Sequence, residues 1–275
     1  MKNKIYKTLL IIALVFFVFA MLFPILYALS TSFMTTAEIE SFPAKLLPTK
    51  ITFDNYKDAF RIQPIMHYVK NSFIITFMTV FINLLIGSMA AYALTRTNIK
   101  FKKVFLIFVL TITLLPSITI VNPIFQMYSK FNLLNTYHGL AMIVAVLDLP
   151  MTIWFLSALF KDIPIEFEES AEIDGANLFQ KFIHILIPII RSGLFSIGIL
   201  VFINAWNQFL IPQVLNTFQS HRTVVVGLAM YQIDEFIPFG TISAASMVTM
   251  LPIVVLVLFF QKRIIGGVLN GGLKG

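Results

Sequence analysis

From Thr8 to Ala37 the chain reads TLLIIALVFFVFAMLFPILYALSTSFMTTA, a run without Lys, Arg, Asp or Glu. A helix needs about 20 apolar residues to cross the hydrocarbon core of a bilayer, so this run can span a membrane. The preceding MKNKIYK gives the start the appearance of a signal peptide, but the apolar run is too long for one and no small-residue cleavage site closes it. We therefore expect a retained N-terminal anchor.

Charge-free runs recur along the rest of the chain, at 71–95, 104–129, 192–221 and 236–261, and the apolar stretch 137–160 is interrupted only by Asp148. The composition, 58% hydrophobic and 12% charged, exceeds the apolar content of ordinary globular domains. These features predict an all-α membrane protein with one transmembrane domain over residues 1–275. The expected spans are about 8–32, 71–95, 104–128, 137–160, 189–211 and 238–261.

The distribution of Lys and Arg predicts the orientation, because basic residues resist translocation. If the N-terminus is inside, thirteen of the 20 Lys and Arg lie in segments on the inner side. Both termini and the segment 161–188 are then expected in the cytoplasm. The net charge of +7 is explained by this asymmetry and does not indicate nucleic-acid binding. The absence of Cys excludes disulfides and leaves the redox compartment open.

The segment between the first two spans, from Thr35 to Lys70, is rich in turn-forming residues and is expected on the outer membrane face. A short helix near Asp54 to Phe60 is predicted there, capped by Thr52 or Asp54. The second span carries a row of small residues suited to close helix packing. They are Gly87, Ser88, Ala90, Ala91 and Ala93.

Five of the nine residues from Glu166 to Asp174 are acidic. Helical periodicity puts Ile163, Phe167, Ser170 and Ala171 on one side and Glu166, Glu168, Glu169 and Glu172 on the other. Asp162 is expected to cap this helix, and Asp174-Gly175 to end it in a turn with positive φ at the glycine. A second amphipathic stretch from Phe179 to Ile187 is expected to end at Pro188. The pattern fits either a solvated loop helix or a docking surface for a protein partner.

The order Glu169-Ser170-Ala171, three residues, Gly175, nine residues and Ile185-x-Ile187-Pro188 resembles the EAA loop of ABC importer permeases. That pattern is E-A-A-x-x-x-G-x9-I-x-L-P, so Ser170 and Ile187 are mild departures from it. Three more stretches, EIESFPAKLLPTKITFDNYKDAF, FINAWNQFLIP and FFQKRIIGGVLNGGLKG, resemble the carbohydrate-uptake branch of this family. Within that branch they are similar to the smaller permease subunit of maltose-type sugar transporters.

The resemblance implies a subunit of a binding-protein-dependent sugar importer in a prokaryotic plasma membrane. Its partners would be a second permease in a heterodimeric pore, two cytoplasmic ATP-binding subunits that carry ATP and Mg, and an external sugar-binding protein. No cofactor is expected on this chain. The segment 161–188 would be the coupling loop that docks on the ATPases. Its coupling residues would be Glu166, Phe167, Glu169, Ala171, Asp174, Gly175, Ile187 and Pro188.

Other sequence signals argue against an enzyme. The chain has no G-x-x-x-x-G-K-[ST] loop for ATP and no G-x-S-x-G nucleophile motif. Its histidines are isolated from one another, without the spacing of metal ligands; they are His67, His138, His184 and His221. ATP hydrolysis is therefore expected on a partner subunit.

Two groups of polar residues inside predicted spans are candidates for a translocation path. Asp148 is costly to expose to lipid and should face protein or water. It could accept a hydrogen bond from a sugar, or be protonated or paired with Asn or Ser of a neighbouring helix. In the fifth span Asn204, Trp206 and Asn207 combine amides with an aromatic face, which suits sugar binding. Interfacial anchoring and bonds between helices explain them equally well.

Three alternatives to a sugar importer remain, one from the same class and two from other functional classes. The EAA loop also fits permeases of the same importer class for a non-sugar solute. A secondary transporter would show repeated halves with paired intramembrane charges, and a structural scaffold would need neither Asp148 nor the amide-rich fifth span.

The glycine-rich tail from Gln261 to Gly275 either contacts the ATPases or is a frayed end.

Overall fold

The computed structural model describes residues 2–114, 116–232 and 238–272, with backbone alone for 2–5 and 262–272. All regular secondary structure in these ranges is helical. The first seven helices are α1 (Lys2–Ser32), α2 (Thr36–Ile39), α3 (Asp54–Ile62), α4 (Ile65–Arg96), α5 (Lys102–Ile112), α6 (Ser117–Lys130) and α7 (Tyr137–Lys161). They are followed by α8 (Glu166–Ile173), α9 (Leu178–Lys181), α10 (Ile187–Ile189), α11 (Arg191–Trp206), α12 (Leu210–Leu215), α13 (Val224–Ala229) and α14 (Phe239–Gly272). A π-helical turn, Phe182–Leu186, joins α9 to α10, and a 3₁₀ turn, Gln219–His221, precedes α13.

Four of the described helices, α1, α4, α7 and α14, are long and apolar enough to cross a membrane, and the count rises to six if two bent pairs each form one span. The predicted third span is one such pair, because α5 stops at Ile112 and α6 begins only at Ser117, directly after Pro116. Proline has no N–H to continue a helical ladder. The predicted fifth span is α11, which ends at Trp206 and bends by 79° from the preceding Leu178–Ile189. Within the described residues, the third and fifth predicted spans are therefore each associated with a bent helix pair.

Residues 1–67 and 227–252 form one compact unit, called the first unit. Its core contains Ala59, Ile65, Tyr231, Ala244 and Ala245. The short helix predicted near Asp54 to Phe60 is confirmed as α3, which starts at Asp54. Phe53 occupies the cap position, and the Thr52 hydroxyl accepts a hydrogen bond from the Asp54 N–H at 3.2 Å.

The carboxylate of Glu38 fixes the loop that follows α2 in the first unit. It accepts hydrogen bonds from the N–H and hydroxyl of Thr35, at 3.0 and 3.1 Å, and from the N–H of Thr49 at 2.8 Å. The Thr49 hydroxyl also donates to it. These bonds, first of all that from the Thr49 hydroxyl, lower the Glu38 pKa from 4.5 to about 2. The ionised carboxylate thus ties together residues eleven positions apart.

Residues 68–226 and 253–275 form the second unit. One of its cores joins α4, α7 and α11 through Ala91, Leu156 and Val201. The predicted small-residue face of α4 packs here on α7, since a Cβ on Gly87 would lie 2.8 Å from the Thr152 Cγ2 atom. A second core combines Tyr128 of α6 with Leu140 and Val144 of α7 and Leu215 of α12.

Candidate functional site

The acidic segment begins differently from the prediction. Asp162 belongs to the C-terminal end of α7, and its N–H still bonds back to the Ala158 carbonyl at 3.3 Å. Helix α8 starts at Glu166 after Ile165, which provides no side-chain cap. The predicted Asp162 cap is therefore wrong, because α7 continues further than expected and the turn around Pro164 separates the two helices.

The buried face of α8 also differs from the helical-wheel prediction. Glu168 and Ala171 are buried, whereas Phe167 is 53% exposed and Ser170 is exposed. Periodicity assigned Glu168 to the solvent side because it treated every carboxylate as polar surface. A buried carboxylate is stable where it is paired and hydrogen-bonded, and Glu168 meets that condition.

A cluster of charged and polar groups surrounds Glu168. The Arg96 Nε atom, at the end of α4, lies 2.6 Å from Glu168 Oε1, and the Tyr92 hydroxyl donates to Oε2 at 3.0 Å. The Arg96 guanidinium also donates to the Ile163 carbonyl after α7. The Tyr92 ring packs against Phe160 and Phe182 at centroid distances of 5.8 and 5.5 Å. We call Tyr92, Arg96 and Glu168 the Glu168 cluster; it joins the ends of α4, α7 and α8.

The remaining carboxylates fall into two groups. Glu172 pairs with Lys181 of α9 at 3.0 Å, across the turn that follows α8. Glu166, Glu169 and Asp174 are exposed. Of the five carboxylates in this segment, Glu168 and Glu172 therefore form ion pairs within the chain, and the other three face outward.

Gly175 ends α8 with the backbone that the sequence predicts, at a φ of +81°. Its N–H bonds to the Glu172 carbonyl at 3.0 Å, and the Ala176 N–H bonds to the Ala171 carbonyl at 2.9 Å. This pair of bonds is the Schellman motif, which closes helices at a left-handed residue. No heavy atom would lie within 4 Å of a Cβ on Gly175, so its backbone conformation alone selects glycine.

The return segment contains two features that the sequence prediction missed. Asn177 and Gln180 form a reciprocal capping box at the start of α9, with bonds of 2.9 and 2.8 Å, which the N-x-x-Q spacing could have indicated. Pro188 does not end the segment as predicted, because it lies within α10 after the π-helical turn, and the chain bends at Ile190. Ile187 is partly buried in the second unit's core.

Several apolar side chains around α8 and α9 remain exposed. Ile173 is 87% exposed and Phe179 is 70% exposed. Of the predicted apolar face from Phe179 to Ile187, only Phe182 and Leu186 are fully buried. The exposed set, together with the outward carboxylates, forms a mixed surface of the kind that protein partners cover. It comprises Phe167, Ile173, Leu178 and Phe179.

A second candidate site is a cavity of about 180 Å³ between α7 and α11. Asp148 and Asn204 are its polar lining residues with Thr152, and the Asn204 amide donates to Asp148 Oδ1. The Asp148 Oδ2 atom is buried and has no hydrogen-bond partner within the described residues. The geometry thus matches the pairing with Asn of a neighbouring helix and leaves Asp148 Oδ2 buried without a hydrogen-bond partner in the described residues.

Trp206 and Asn207 do not line this cavity. Trp206 is 2% exposed and packs on Phe73 and Phe202 at centroid distances of 4.9 and 5.7 Å. Asn207 is exposed, and its amide donates to the Ile203 carbonyl of its own helix at 2.8 Å. The amides and the aromatic ring that are neighbours in the sequence therefore have different surroundings, because Trp206 is buried among aromatic side chains and Asn207 is exposed.

The family model for the inner membrane component of binding-protein-dependent transport systems matches residues 83–269. The chain belongs to this family. The permease is therefore a multi-pass membrane protein whose helices α4 to α14 lie largely inside the matched region, together with both candidate sites.

Similar proteins extend the likeness over nearly the whole permease. It is 34% identical to the trehalose/maltose transport system permease protein of Thermococcus litoralis over 100% of both chains. It is 36% identical to the trehalose transport system permease protein of Mycobacterium tuberculosis, covering 92% of this chain and 93% of that one. Identity to the sulfoquinovosyl glycerol transport system permease protein of Agrobacterium fabrum is 35%, covering 92% and 89%.

A solved structure has the same fold as the permease. It is a chain of a bacterial ABC transporter involved in the import of the acidic polysaccharide alginate, with a TM-score of 0.83 and 22% identity, covering 95% of this chain and 97% of that one. No group of three or more His, Asp or Glu in the described part of the permease could hold a metal ion.

Proposed function

We propose that this permease is a subunit of an ATP-driven, binding-protein-dependent importer for a sugar and forms half of its translocation pore. The full-length likeness to the trehalose/maltose permease of T. litoralis carries the proposal. The permeases for trehalose and sulfoquinovosyl glycerol support the same substrate class, because all of these ligands carry sugar hydroxyls.

The segment 161–188 is proposed as the coupling loop. Its outward surface presents Glu166, Glu169 and Asp174 beside the exposed Phe167 and Phe179, which suits a cleft with basic or amide groups on its rim. Ala171 is small and buried, so α8 can lie close to the helices beneath it. Gly175 turns the chain, and Ile187 and Pro188 lead it back to α11. Each exposed ion pair with the ATPase contributes about 0–1 kcal/mol, so the apolar contacts are expected to dominate docking.

The proposed assembly contains a second permease subunit, two ATP-binding subunits that hold ATP and Mg, and an external sugar-binding protein. In the proposed topology the chain crosses a prokaryotic plasma membrane six times, with α5 and α6 together counted as the third crossing and α11 as the fifth. The inner placement of thirteen of 20 basic residues supports cytoplasmic termini. The tail from Gln261 is proposed to reach the ATPases; its side chains from 262 onward lie outside the described residues.

The cavity beside Asp148 is proposed as part of the solute path. The Asp148 side chain lines the cavity, and a carboxylate there can accept a hydrogen bond from a sugar hydroxyl, while Asn204 can both donate and accept one. Trp206 and Asn207 are left out of the path because neither lines the cavity.

Affinity purification of the tagged permease from its native membrane, followed by reconstitution, tests the proposal. An ATPase and a second permease should copurify, and ATP hydrolysis should rise when the external binding protein is added with its sugar. Solute transport driven by an ion gradient without ATP would instead indicate a secondary transporter. Stimulation by a non-sugar solute alone would retain the importer and overturn the sugar assignment.

A further inference from the structure

Glu168 occupies a place in the coupling loop that the family pattern does not explain. It directly precedes Glu169, the first position of the pattern, yet it is turned inward and only 5% exposed. Its carboxylate cannot face a partner subunit while it is buried against Arg96 and Tyr92. Its role must therefore be sought inside the permease.

The bonds around Glu168 specify the position of α8. Glu168 Oε1 pairs with Arg96 at 2.6 Å and Oε2 accepts from the Tyr92 hydroxyl at 3.0 Å, so both oxygens are held by α4. Because the two oxygens are held by two different side chains, the carboxylate is fixed in direction as well as in distance. Arg96 lies one helical turn after Tyr92, so both partners project from the same face of α4.

Arg96 extends the same fixation to α7. Its guanidinium donates to the Ile163 carbonyl, which lies just beyond the last turn of α7, and the Tyr92 ring packs on Phe160 of that helix. The side chain of Arg96 is 14% exposed and that of Glu168 is 7% exposed, so water screens the pair weakly. The ends of α4, α7 and α8 therefore share one buried ion pair.

From this geometry we infer that Glu168 and Arg96 are positioning residues of the coupling loop. They hold α8 to α4 and α7 so that a displacement of these two helices displaces α8 with them. The inference rests on the proposed coupling function and assigns its mechanical link to an ion pair inside the permease. Glu169, one position later, faces outward, which separates the fixing of the loop from the contact with its partner.

The test compares Glu168→Gln and Arg96→Gln with wild type in the reconstituted complex with its ATPases and binding protein. Asp162→Asn is the matched control, because it removes an exposed carboxylate from the same segment. Each complex is quantified for assembly, basal ATPase, ATPase stimulated by the loaded binding protein, and ATP hydrolysed per solute imported. Assembly and basal ATPase should persist in both single variants, whereas stimulation should fall about tenfold or more and ATP consumed per solute should rise. Asp162→Asn should match wild type.

The reciprocal variant Arg96→Glu with Glu168→Arg re-forms the pair with opposite polarity and should recover part of the stimulation. A loss of assembled complex with unchanged ATP per solute in the complex that remains would show a stabilising role only and overturn the inference. If the loaded binding protein stimulates the ATPase of Glu168→Gln as strongly as that of wild type, the inference is also overturned, while the proposed function stays intact. A wild-type permease that recruits no ATPase would overturn both.

Discussion

At the scale of single residues, Glu168 and Glu169 show how two adjacent carboxylates acquire different roles. Glu168 is buried in an ion pair, and Glu169 is exposed. Removing one partner of a buried pair leaves an uncompensated charge and costs about 3–5 kcal/mol, whereas an exposed carboxylate contributes about 0–1 kcal/mol. When each carboxylate between residues 166 and 174 is replaced by glutamine in turn, the free energy of unfolding should therefore fall most for Glu168→Gln.

Gly175 is the residue where backbone conformation can be tested most directly. Gly175→Val places a β-branched side chain at a φ of +81°, which costs about 1–3 kcal/mol and opens the Schellman turn. We expect the variant to insert normally but to lose solute uptake and stimulated ATPase. Gly175→Asn is the control, because asparagine tolerates left-handed backbone and should retain most uptake. Normal uptake with stimulated ATPase in Gly175→Val would contradict the coupling assignment.

Asp148 provides a second test at this scale. Asp148→Asn keeps the size of the side chain and its hydrogen-bonding capacity toward Asn204, so the amount of assembled complex should not change. Sugar uptake or sugar preference should change, because the charged carboxylate that lines the cavity becomes a neutral amide with one acceptor oxygen in place of two. Transport assays against a panel of saccharides measure the effect. Unchanged transport of every sugar would reduce Asp148 to a packing residue.

At the scale of helices, close approach and bends decide the arrangement. Gly87 lets α4 approach Thr152 of α7, and the sequence predicted that contact surface from its small residues. The bends were harder to predict, because Pro116 and Pro188 can be accommodated within spans. Pro116 lies in the break directly before α6, and Pro188 lies in α10 after a π-helical turn. The same residue type thus has different effects that depend on tertiary neighbours.

The Gly87 contact predicts a specific compensation. Gly87→Ala gains about 1 kcal/mol of helix propensity but forces a Cβ to 2.8 Å from Thr152 Cγ2, and overpacking costs about 1–3 kcal/mol. Thr152→Ser removes that methyl group. The double variant should therefore have a higher Tm in detergent than Gly87→Ala alone. Tm is measured for wild type, both single variants and the double variant. Additive changes in Tm would show that the two residues are not in steric conflict.

The loop after α2 predicts a pH dependence. The Glu38 pKa is lowered from 4.5 to about 2, so its stabilisation of the loop is fully present above about 4.5 and is lost as the pH falls toward 2. The hydrogen-exchange protection factor of the Thr49 N–H should fall over that range. Glu38→Gln should show weak protection already at neutral pH. Equal protection of wild type at pH values above and below this range would contradict the assignment.

At the scale of the whole molecule, the helical membrane class and the family were predictable because charge-free runs and the loop pattern are local in sequence. The positive φ of Gly175 and the start of α3 at Asp54 were predictable for the same reason. The Glu168 cluster was not, because Arg96 lies in the connection after the second predicted span, far from Glu168 in the sequence. For Trp206 the sequence left a sugar-binding role and a packing or anchoring role open, because its aromatic neighbours Phe73 and Phe202 could not be assigned from the local pattern.

The proposed topology can be mapped cleanly because the chain contains no Cys. Lys50→Cys should react with a membrane-impermeant maleimide added to intact cells, since its segment is expected outside. Lys100→Cys and Asp162→Cys should react only after permeabilisation. All three positions are exposed, so burial does not confound the comparison. Labelling of Lys100→Cys in intact cells would reverse or break the proposed orientation.

The open surroundings of Gly175 have a further consequence. With no atom within 4 Å of an added Cβ, the position disfavours most L-residues through its φ of +81° and not through lack of room. A permease carrying D-alanine at position 175 should therefore keep the turn and its two hydrogen bonds, because positive φ is the ordinary conformation of a D-residue. The turn thus selects residues by the sign of φ that they prefer.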